Sequence, residues 1–246
     1  MGLTEKLQGI FQNVVAKTSV HAYYLRKHLA AFSQRLEHDS LVLDVGSGES
    51  PYRSVFSHFG KYVALDIKRG GNVDLVADIC SLPIRSDAVE VIICTEVLEH
   101  VEDTNRAVEE LNRVLRTGGY LILTTPLLIG VHEAIDFFRF TELALRSLLS
   151  RYGFEILEIR KRGGIFSSLG AMLTQLPYQV LGPYGKGPYG KSAIVPQYLK
   201  YGLLFSIYLL LIPTTSIFIA LDVLDRGKNF TLGYSVLCSK KRDWQN

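Results

Sequence analysis

Short apolar runs recur from residue 41 onward, and their rhythm restricts the architectures that this chain can adopt. The runs are four to eight residues long and rich in Val, Ile and Leu, with turn residues or helical patterns between them. This alternation is typical of parallel βαβ units. The predicted strands are Leu41–Val45, Tyr62–Leu65, Val73–Val76, Val89–Cys94, Gly119–Thr124, Phe154–Arg160 and Thr231–Cys238. The sequence therefore predicts an α/β fold with a Rossmann-like, doubly wound sheet of seven strands.

Helical patterns fill several of the intervals between the strands. Helices are predicted near 51–58, 103–116 and 141–152, and one or two amphipathic helices within 7–36, so residues 1–40 form an N-terminal helical segment. Asp103 and Thr104 are candidate N-caps of the middle helix, and Gly118-Gly119 is its expected end. The connection from Ile67 to Asn72 is too short for a crossover helix. Either that helix is missing or the third strand is rudimentary.

Composition excludes several classes of protein. Hydrophobic residues make up 48% and charged residues 21% of the 246 residues, which excludes disordered, coiled-coil and collagen-like chains. A net charge of +3 is too small to indicate a surface that tracks phosphates, so nucleic acid is not favoured as a partner. Cys80, Cys94 and Cys238 have no paired spacing, which favours reduced thiols in a cytoplasmic protein and implies no metal site.

A glycine turn directly follows the first predicted strand. Gly46 and Gly48 let the backbone bend tightly and let a ligand approach main-chain N–H groups. The third glycine of a dinucleotide fingerprint is absent, because Glu49-Ser50-Pro51-Tyr52 follows. Asp44 would place a carboxylate near the turn, which suits a cationic ligand better than a pyrophosphate. Asp66 ends the second strand, where a carboxylate can accept hydrogen bonds from both hydroxyls of a ribose.

Five segments, taken in order, resemble the class I S-adenosylmethionine-dependent methyltransferases. They are Leu43–Gly48, Asp66, Ala77-Asp78-Ile79 followed by Leu82-Pro83, Glu96–Val101, and Leu115–Leu121. The resemblance covers about residues 40–163 and returns at 230–240, where the chain is similar to the family's last, antiparallel strand. It implies a methyltransferase domain over residues 41–246 with S-adenosyl-L-methionine as cofactor. The later run over 131–141 resembles one that is familiar from bacterial enzymes that modify glycans and lipid intermediates.

The resemblance also implies roles for particular residues. The expected cofactor-binding residues are Asp44, Gly46, Ser47, Gly48, Asp66, Ile67, Asp78, Ile79 and Thr95. The glycine turn would line the methionine portion, Asp66 would hold the ribose hydroxyls, Asp78 and Ile79 would flank the adenine, and Thr95 would face the sulfonium. The alternative for Asp78 is a loop cap. The alternative for Glu99 and His100 is that they cap and stabilise the turn after the fourth strand.

A general base is needed only if the accepting atom arrives protonated, as a hydroxyl does. The segment after the fifth strand supplies two candidates, His132 first and Asp136 second, within a run that many members of the family share. The structural alternative is that Asp136 forms a salt bridge with Arg139 while Thr141 caps the following helix.

The family usually joins its sixth and seventh strands by a tight hairpin, but here residues 165–229 intervene as an apolar helical insertion. The 57 residues from Ile165 to Leu221 contain only three charges, all of them lysines, and a tandem Gly-Pro-Tyr-Gly-Lys repeat over 182–191 predicts a loop. Gly202–Leu221 has no charge and is nominally long enough to cross a bilayer core of about 30 Å. A single crossing would separate the seventh strand from the sheet, and Pro213 is expected to break the segment into a bent pair that enters and returns.

The insertion and the cofactor motifs together define the functional alternatives. The leading hypothesis is a methyltransferase for a small-molecule or lipid-linked acceptor, a glycan hydroxyl or a quinone-type ring, with peripheral membrane contact through 165–221 at the inner face of the membrane. The insertion could instead be a helical lid or a homodimer face. The competing functions are a nicotinamide-dependent oxidoreductase and a non-catalytic membrane or partner adaptor.

Overall fold

Two compact units are present in the computed structural model. The residues that the structure describes are 19–37, 39–130, 134–181 and 197–241. The sheet unit comprises 25–127, 133–161 and 233–246, and the hairpin unit comprises 1–24, 128–132 and 162–232. His132 and the repeat at 182–191 lie outside the described residues.

The sheet unit contains the predicted seven strands. They are β1 Leu41–Val45, β2 Lys61–Asp66, β3 Leu75–Val76, β4 Val89–Thr95, β5 Leu115–Pro126, β6 Phe154–Lys161 and β7 Gly233–Lys240. Their order across the sheet is β3-β2-β1-β4-β5-β7-β6, and β7 is antiparallel to both of its neighbours. The other recorded pairs are parallel. The Rossmann-like α/β fold with an antiparallel last strand is therefore confirmed.

Alternating strand residues bury both faces of this sheet. The helices are α1 Val20–Ser33, α2 Thr104–Val114 and α3 Glu142–Arg151, with 3₁₀ turns at Arg53–Phe56 and Leu98–His100. On one face Leu43 and Ile92 pack in the same core as Leu111 of α2 and Leu145 of α3. On the other face the strands pack against Leu29 and Phe32 of α1 and against Phe56. Because successive strand side chains point to opposite faces, continuous apolar runs are what a sheet covered on both sides requires.

Two local expectations from the sequence are wrong, and one alternative that the sequence left open is resolved. The helix predicted at 51–58 is a single 3₁₀ turn, Arg53–Phe56, and no side chain caps its N-terminus. The helix predicted at 103–116 ends at Val114 and β5 begins at the next residue, so the glycine pair lies inside a strand. Gly118 has a φ of 76° there, and the register of β4 and β5 shifts at this point. β3 is indeed rudimentary, with two residues.

The hairpin unit is built on two helices, α4 Ile165–Leu181 and α5 Gln197–Leu221. They are antiparallel, since the start of α4 is bonded to the segment after α5: Gly164 N donates to Asp222 Oδ2 at 2.7 Å and Ile165 N to Asp225 Oδ2 at 2.8 Å. The expected break at Pro213 is wrong. α5 continues through it, since a proline removes one helix hydrogen bond without preventing neighbouring turns from forming. Among the described residues, none of the helices combines the length and apolarity needed to cross a membrane.

Candidate cofactor and active site

The turn after β1 is held against β2 by its own backbone. Gly46 N and Ser47 N both donate to Leu65 O, at 2.8 and 3.0 Å. Gly46 and Gly48 have φ values of 72° and 50°, a region that favours glycine. A Cβ on Gly46 would lie 2.3 Å from Val97 Cγ2, whereas a Cβ on Gly48 would meet nothing within 4 Å. The first glycine is thus required by packing, and the second borders open space at the carboxyl end of the sheet.

Asp66 is fixed at that same edge. Its Oδ2 accepts a hydrogen bond from Gly48 N and its Oδ1 one from Lys68 N, both at 2.9 Å. The following residue, Ile67, is 65% exposed although apolar. A carboxylate oriented by two main-chain donors beside an uncovered apolar side chain can bind the ribose and one face of the base of a nucleoside, as the sequence predicts.

Asp44 is a buried carboxylate with one oxygen bonded and one not. Tyr62 donates its hydroxyl to Oδ2, while Oδ1 has no hydrogen-bond partner among the residues that the structure describes. Burial raises the pKa of Asp44 to about 6, against the hydrogen bond from Tyr62 and the charge of Arg53, which lower the pKa; Asp66 raises it further. Ser47 Oγ is likewise buried without a partner within the described ranges. Asp44 Oδ1 and Ser47 Oγ are therefore buried polar atoms whose missing hydrogen bonds a ligand can supply.

The charged groups around this site indicate which charge a bound ligand should carry. Burial raises the pKa of the Cys94 thiol, and the charges of Glu99, Asp44 and Glu96 raise it further, so three carboxylates gather around the carboxyl end of β4. An anionic pyrophosphate would be repelled there, whereas a cationic sulfonium and ammonium would be attracted. The residues present therefore fit S-adenosylmethionine, which would occupy the space beside Gly48 with its ammonium near Asp44.

The remaining predicted cofactor residues lie at the ends of neighbouring strands. Asp78 Oδ1 accepts a hydrogen bond from Cys80 N at 2.8 Å, so the loop-capping alternative describes its geometry. Ile79 is buried in the core beneath the sheet's helical layer, with 8% of its surface exposed. Thr95 ends β4 in register with Thr124 of β5. The sheet thus brings the strand-end residues to one edge, while Ile79 serves packing.

A loop after β5 is tied to the segment after β4 through main-chain atoms. Phe137 N and Phe138 N both donate to Glu99 O, at 2.7 and 3.2 Å. His100 Nδ1 lies 2.5 Å from Ile135 O. Ile135, Phe137 and Phe138 remain 57%, 49% and 38% exposed. These apolar side chains are thus held outward on a backbone that is fixed next to the end of β4.

Asp136 has the geometry of the structural alternative. Arg139 binds it through both guanidinium nitrogens, with Nη2 to Oδ2 at 2.7 Å and a shorter contact from Nη1 to Oδ1. The hydrogen bond that Arg139 donates to Asp136 raises the pKa of Arg139, and the charges of Asp136, Glu99 and Glu96 raise it further. Thr141 caps α3 by accepting from Ala144 N at 3.2 Å. A carboxylate with both oxygens engaged is suited to positioning rather than to proton transfer.

Sequence reasoning missed two residues of the site. Tyr62 completes the environment of Asp44, and no local motif marks it. Glu96 has a φ of 54° and accepts a hydrogen bond from Thr124 Oγ1 at 2.8 Å. A non-glycine residue in that conformation is uncommon and clusters at functional sites. Its strained backbone is visible only in the structure.

Comparison with known proteins agrees with this geometry. Residues 43–123 match a family model described as a methyltransferase domain. The chain is 34% identical over 108 residues to the "tRNA (carboxymethyluridine(34)-5-O)-methyltransferase" of Arabidopsis thaliana, covering 39% of this chain and 26% of that protein. It is 28% identical over 162 residues to a "Probable S-adenosylmethionine-dependent methyltransferase" of Mycolicibacterium smegmatis, covering 54% and 60%. The chain therefore spans less than two thirds of the length of these curated relatives.

Solved structures show the same fold. A crystal structure of an S-adenosylmethionine-dependent methyltransferase from Archaeoglobus fulgidus has a TM-score of 0.57 at 12% identity and covers 94% of this chain and 99% of its own. Together the matches support an enzyme of the S-adenosylmethionine-dependent methyltransferase class with S-adenosyl-L-methionine as cofactor. They give no support to the oxidoreductase alternative.

The two glycines of the turn should respond differently to alanine. Gly46→Ala places a methyl group against Val97 at positive φ, so we expect a loss of about 2–4 kcal/mol of folding stability. Gly48→Ala has strain alone, of order 1 kcal/mol, but fills the proposed cofactor space, so S-adenosylhomocysteine affinity should fall at least about tenfold. Thermal unfolding and calorimetric titration separate the two effects. Gly71→Ala, with open space and ordinary φ, is the control, and equal cofactor affinity for Gly48→Ala and wild type would contradict the assignment.

Asp44 should make cofactor binding depend on pH. With a pKa of about 6 it is largely protonated below that pH, and an ammonium bound beside it favours the charged form. S-adenosylhomocysteine affinity should therefore rise between about pH 5 and 7, with proton release near pH 6, measured by calorimetry in buffers of different ionisation enthalpy. Asp44→Asn should abolish the slope. A wild-type affinity independent of pH would contradict this role.

The same pKa sets the sign of a stability effect in the unliganded protein. Because burial raises the pKa of Asp44 in the folded state, its favourable contribution is present below the unfolded pKa of about 4 and is lost as pH rises through about 6. Asp44→Asn should therefore unfold at a higher temperature than wild type near neutral pH. It should show no such gain at acidic pH.

Proposed function

We propose that this protein transfers a methyl group from S-adenosylmethionine to a hydrophobic small-molecule or lipid-linked acceptor. The observation that carries the cofactor half of the proposal is Asp66, oriented by the N–H groups of Gly48 and Lys68 next to a glycine turn that borders open space. The match of residues 43–123 to a methyltransferase domain supports the same conclusion. Asp44 Oδ1 is buried and has no hydrogen-bond partner among the described residues, so it would attract the ammonium group of the cofactor.

Positioning supplies most of the rate in such a transfer. The bound cofactor supplies a methyl carbon that its sulfonium already activates. Asp66 would hold the cofactor's ribose and Asp44 its ammonium, while the segment tied to Glu99 O would lie beside the reacting groups. Fixing donor and acceptor atoms in line contributes to the rate by removing orientational freedom before the reaction.

Proton removal is assigned to His132, with Asp136 as a positioning residue. An acceptor hydroxyl must lose its proton as the methyl group arrives, and a histidine is neutral enough to accept it near pH 7. Asp136 and Arg139 form a bidentate pair that fixes the loop. Asp136 lies four positions after His132 in the sequence.

The acceptor we propose is a glycan hydroxyl on a lipid carrier or a quinone-type ring. Exposed Ile135, Phe137 and Phe138 suit an apolar ring or chain, and the chain inserts an apolar helical pair, 165–221, before its last strand. We also propose that the protein makes peripheral contact with the inner face of the membrane, where such an acceptor would lie. The Arabidopsis relative is named for tRNA, but its match covers 39% of this chain, and a net charge of +3 gives little attraction for nucleic acid.

Label transfer tests the acceptor class. Protein and methyl-labelled S-adenosylmethionine are incubated in parallel with a bacterial lipid extract, with the water-soluble metabolites and with total tRNA. We expect label in the organic phase of the first reaction, and none with Asp66→Ala. Label in tRNA or only in aqueous metabolites would overturn the hydrophobic acceptor while leaving the methyltransferase intact.

A further inference from the structure

The hairpin unit carries large apolar side chains on the outside of α4. Within α4, Leu169, Met172 and Leu173 are 46%, 50% and 46% exposed. Together with Ile165 they follow one another at helical spacing and form one stripe, called here the outer face. An uncovered stripe of this kind on a helix is costly in water.

Small residues line the opposite side of α4, where it meets α5. They are Ser167, Gly170, Ala171 and Thr174, all buried. A Cβ on Gly170 would lie 2.9 Å from Phe218 Cβ, so the helices approach closely because no side chain intervenes. Packing small residues inside and large apolar residues outside reverses the usual order of a water-soluble core and is the pattern of helices that associate in lipid.

Three hydroxyl groups of the two helices donate to carbonyl oxygens of their own helix. Thr174 Oγ1 donates to Gly170 O at 3.0 Å, and Ser206 Oγ donates to Gly202 O at 3.0 Å. Thr214 Oγ1 donates to Leu211 O at 2.6 Å. These groups need no water to complete their hydrogen bonds, which is the condition that an apolar medium imposes.

Charge is distributed along the hairpin in the same sense. Asp222 and Asp225 accept from the first N–H groups of α4 and so lie at the base of the hairpin. Between Ile165 and Leu221 the sequence has no acidic residue, and its three charges are Lys186, Lys191 and Lys200. Lysines without acidic neighbours attract anionic lipid headgroups.

We propose that the α4–α5 hairpin lies in the surface of an anionic phospholipid bilayer, with the outer face of α4 in contact with acyl chains. The proposal names the membrane surface for the lipid-linked acceptor and in that sense rests on the proposed function. We choose lipid as the partner because α4 packs small side chains against α5 while its large apolar side chains remain exposed, and because lysines are the only charged residues between Ile165 and Leu221.

Flotation with lipid vesicles tests it on the full chain. Vesicles of phosphatidylcholine mixed with phosphatidylglycerol are compared with phosphatidylcholine alone. Wild type should float with the mixed vesicles and more weakly with the neutral ones. Leu169→Glu/Leu173→Glu should lower the bound fraction at least about tenfold. Leu143→Glu is the matched control, because Leu143 is 78% exposed on α3 of the sheet unit, and it should float like wild type.

Several results would overturn the proposal. They are a wild type that stays with the aqueous phase, a double variant that floats as wild type does, and a wild-type dimer that the double variant turns into monomers without vesicles. Equal binding to both kinds of vesicle would remove the anionic requirement. Titration of the same samples with S-adenosylhomocysteine distinguishes the two proposals. A protein that floats with vesicles but binds no S-adenosylhomocysteine would support the membrane surface and contradict the proposed methyltransferase activity.

Discussion

Asp66→Ala should weaken S-adenosylhomocysteine binding about a hundredfold, or roughly 3 kcal/mol, because hydrogen bonds from two ribose hydroxyls to a charged carboxylate are lost. The variant also removes the acceptor of Gly48 N and Lys68 N, so a modest fall in melting temperature is expected beside the binding loss. Isothermal titration measures the affinity and thermal unfolding measures the structural part.

Two further variants serve as comparisons for Asp66→Ala. Asp66→Asn keeps one acceptor oxygen and should lie between alanine and wild type. Glu109→Ala removes a carboxylate of α2 that pairs with Arg106 at 2.7 Å, and it should bind as wild type does. An Asp66→Ala protein that is folded and binds S-adenosylhomocysteine with wild-type affinity would show that the ligand lies elsewhere.

The second large effect is expected on the rate. If His132 removes the proton of a hydroxyl acceptor, His132→Ala should lower kcat by about 10² or more while leaving S-adenosylhomocysteine affinity unchanged. The acidic limb of the pH–rate profile should flatten in the same variant. Both are measured with the acceptor fraction that the labelling experiment identifies.

Asp136→Asn serves as the comparison for the histidine. Because Asp136 is bound by Arg139, the variant should raise KM and lower stability through a looser loop, with the pH profile retained. If Asp136→Asn instead abolishes the acidic limb and His132→Ala does not, the base is the aspartate. Near wild-type rates for both variants would exclude a general base in this segment.

Much of the sheet could be predicted because each strand carries its own signal. Runs such as Val91–Cys94 are apolar on both faces, a pattern that a buried parallel sheet needs. The glycine turn and Asp66 could be predicted for the same reason, because the turn directly follows one predicted strand and Asp66 ends the next.

The parts that failed depend on partners distant in sequence. Gly118-Gly119 has the chemistry of a helix end, yet the register of β5 against β4 places it in a bulge, where a Cβ on Gly119 would meet Glu90 O at 2.8 Å. The link of Phe137 N to Glu99 O is made by main-chain atoms, which no side-chain pattern reveals. The low polarity of α4 predicted an apolar element but not which side would face outward.

Calorimetric titration of the full wild-type chain with S-adenosylhomocysteine and with NAD near neutral pH tests whether the site binds S-adenosylmethionine. We expect saturable binding of S-adenosylhomocysteine in the micromolar range and no measurable heat with NAD, since the carboxylates near Asp44 repel a pyrophosphate. Binding of NAD without S-adenosylhomocysteine, or of neither ligand by a folded protein, would contradict it.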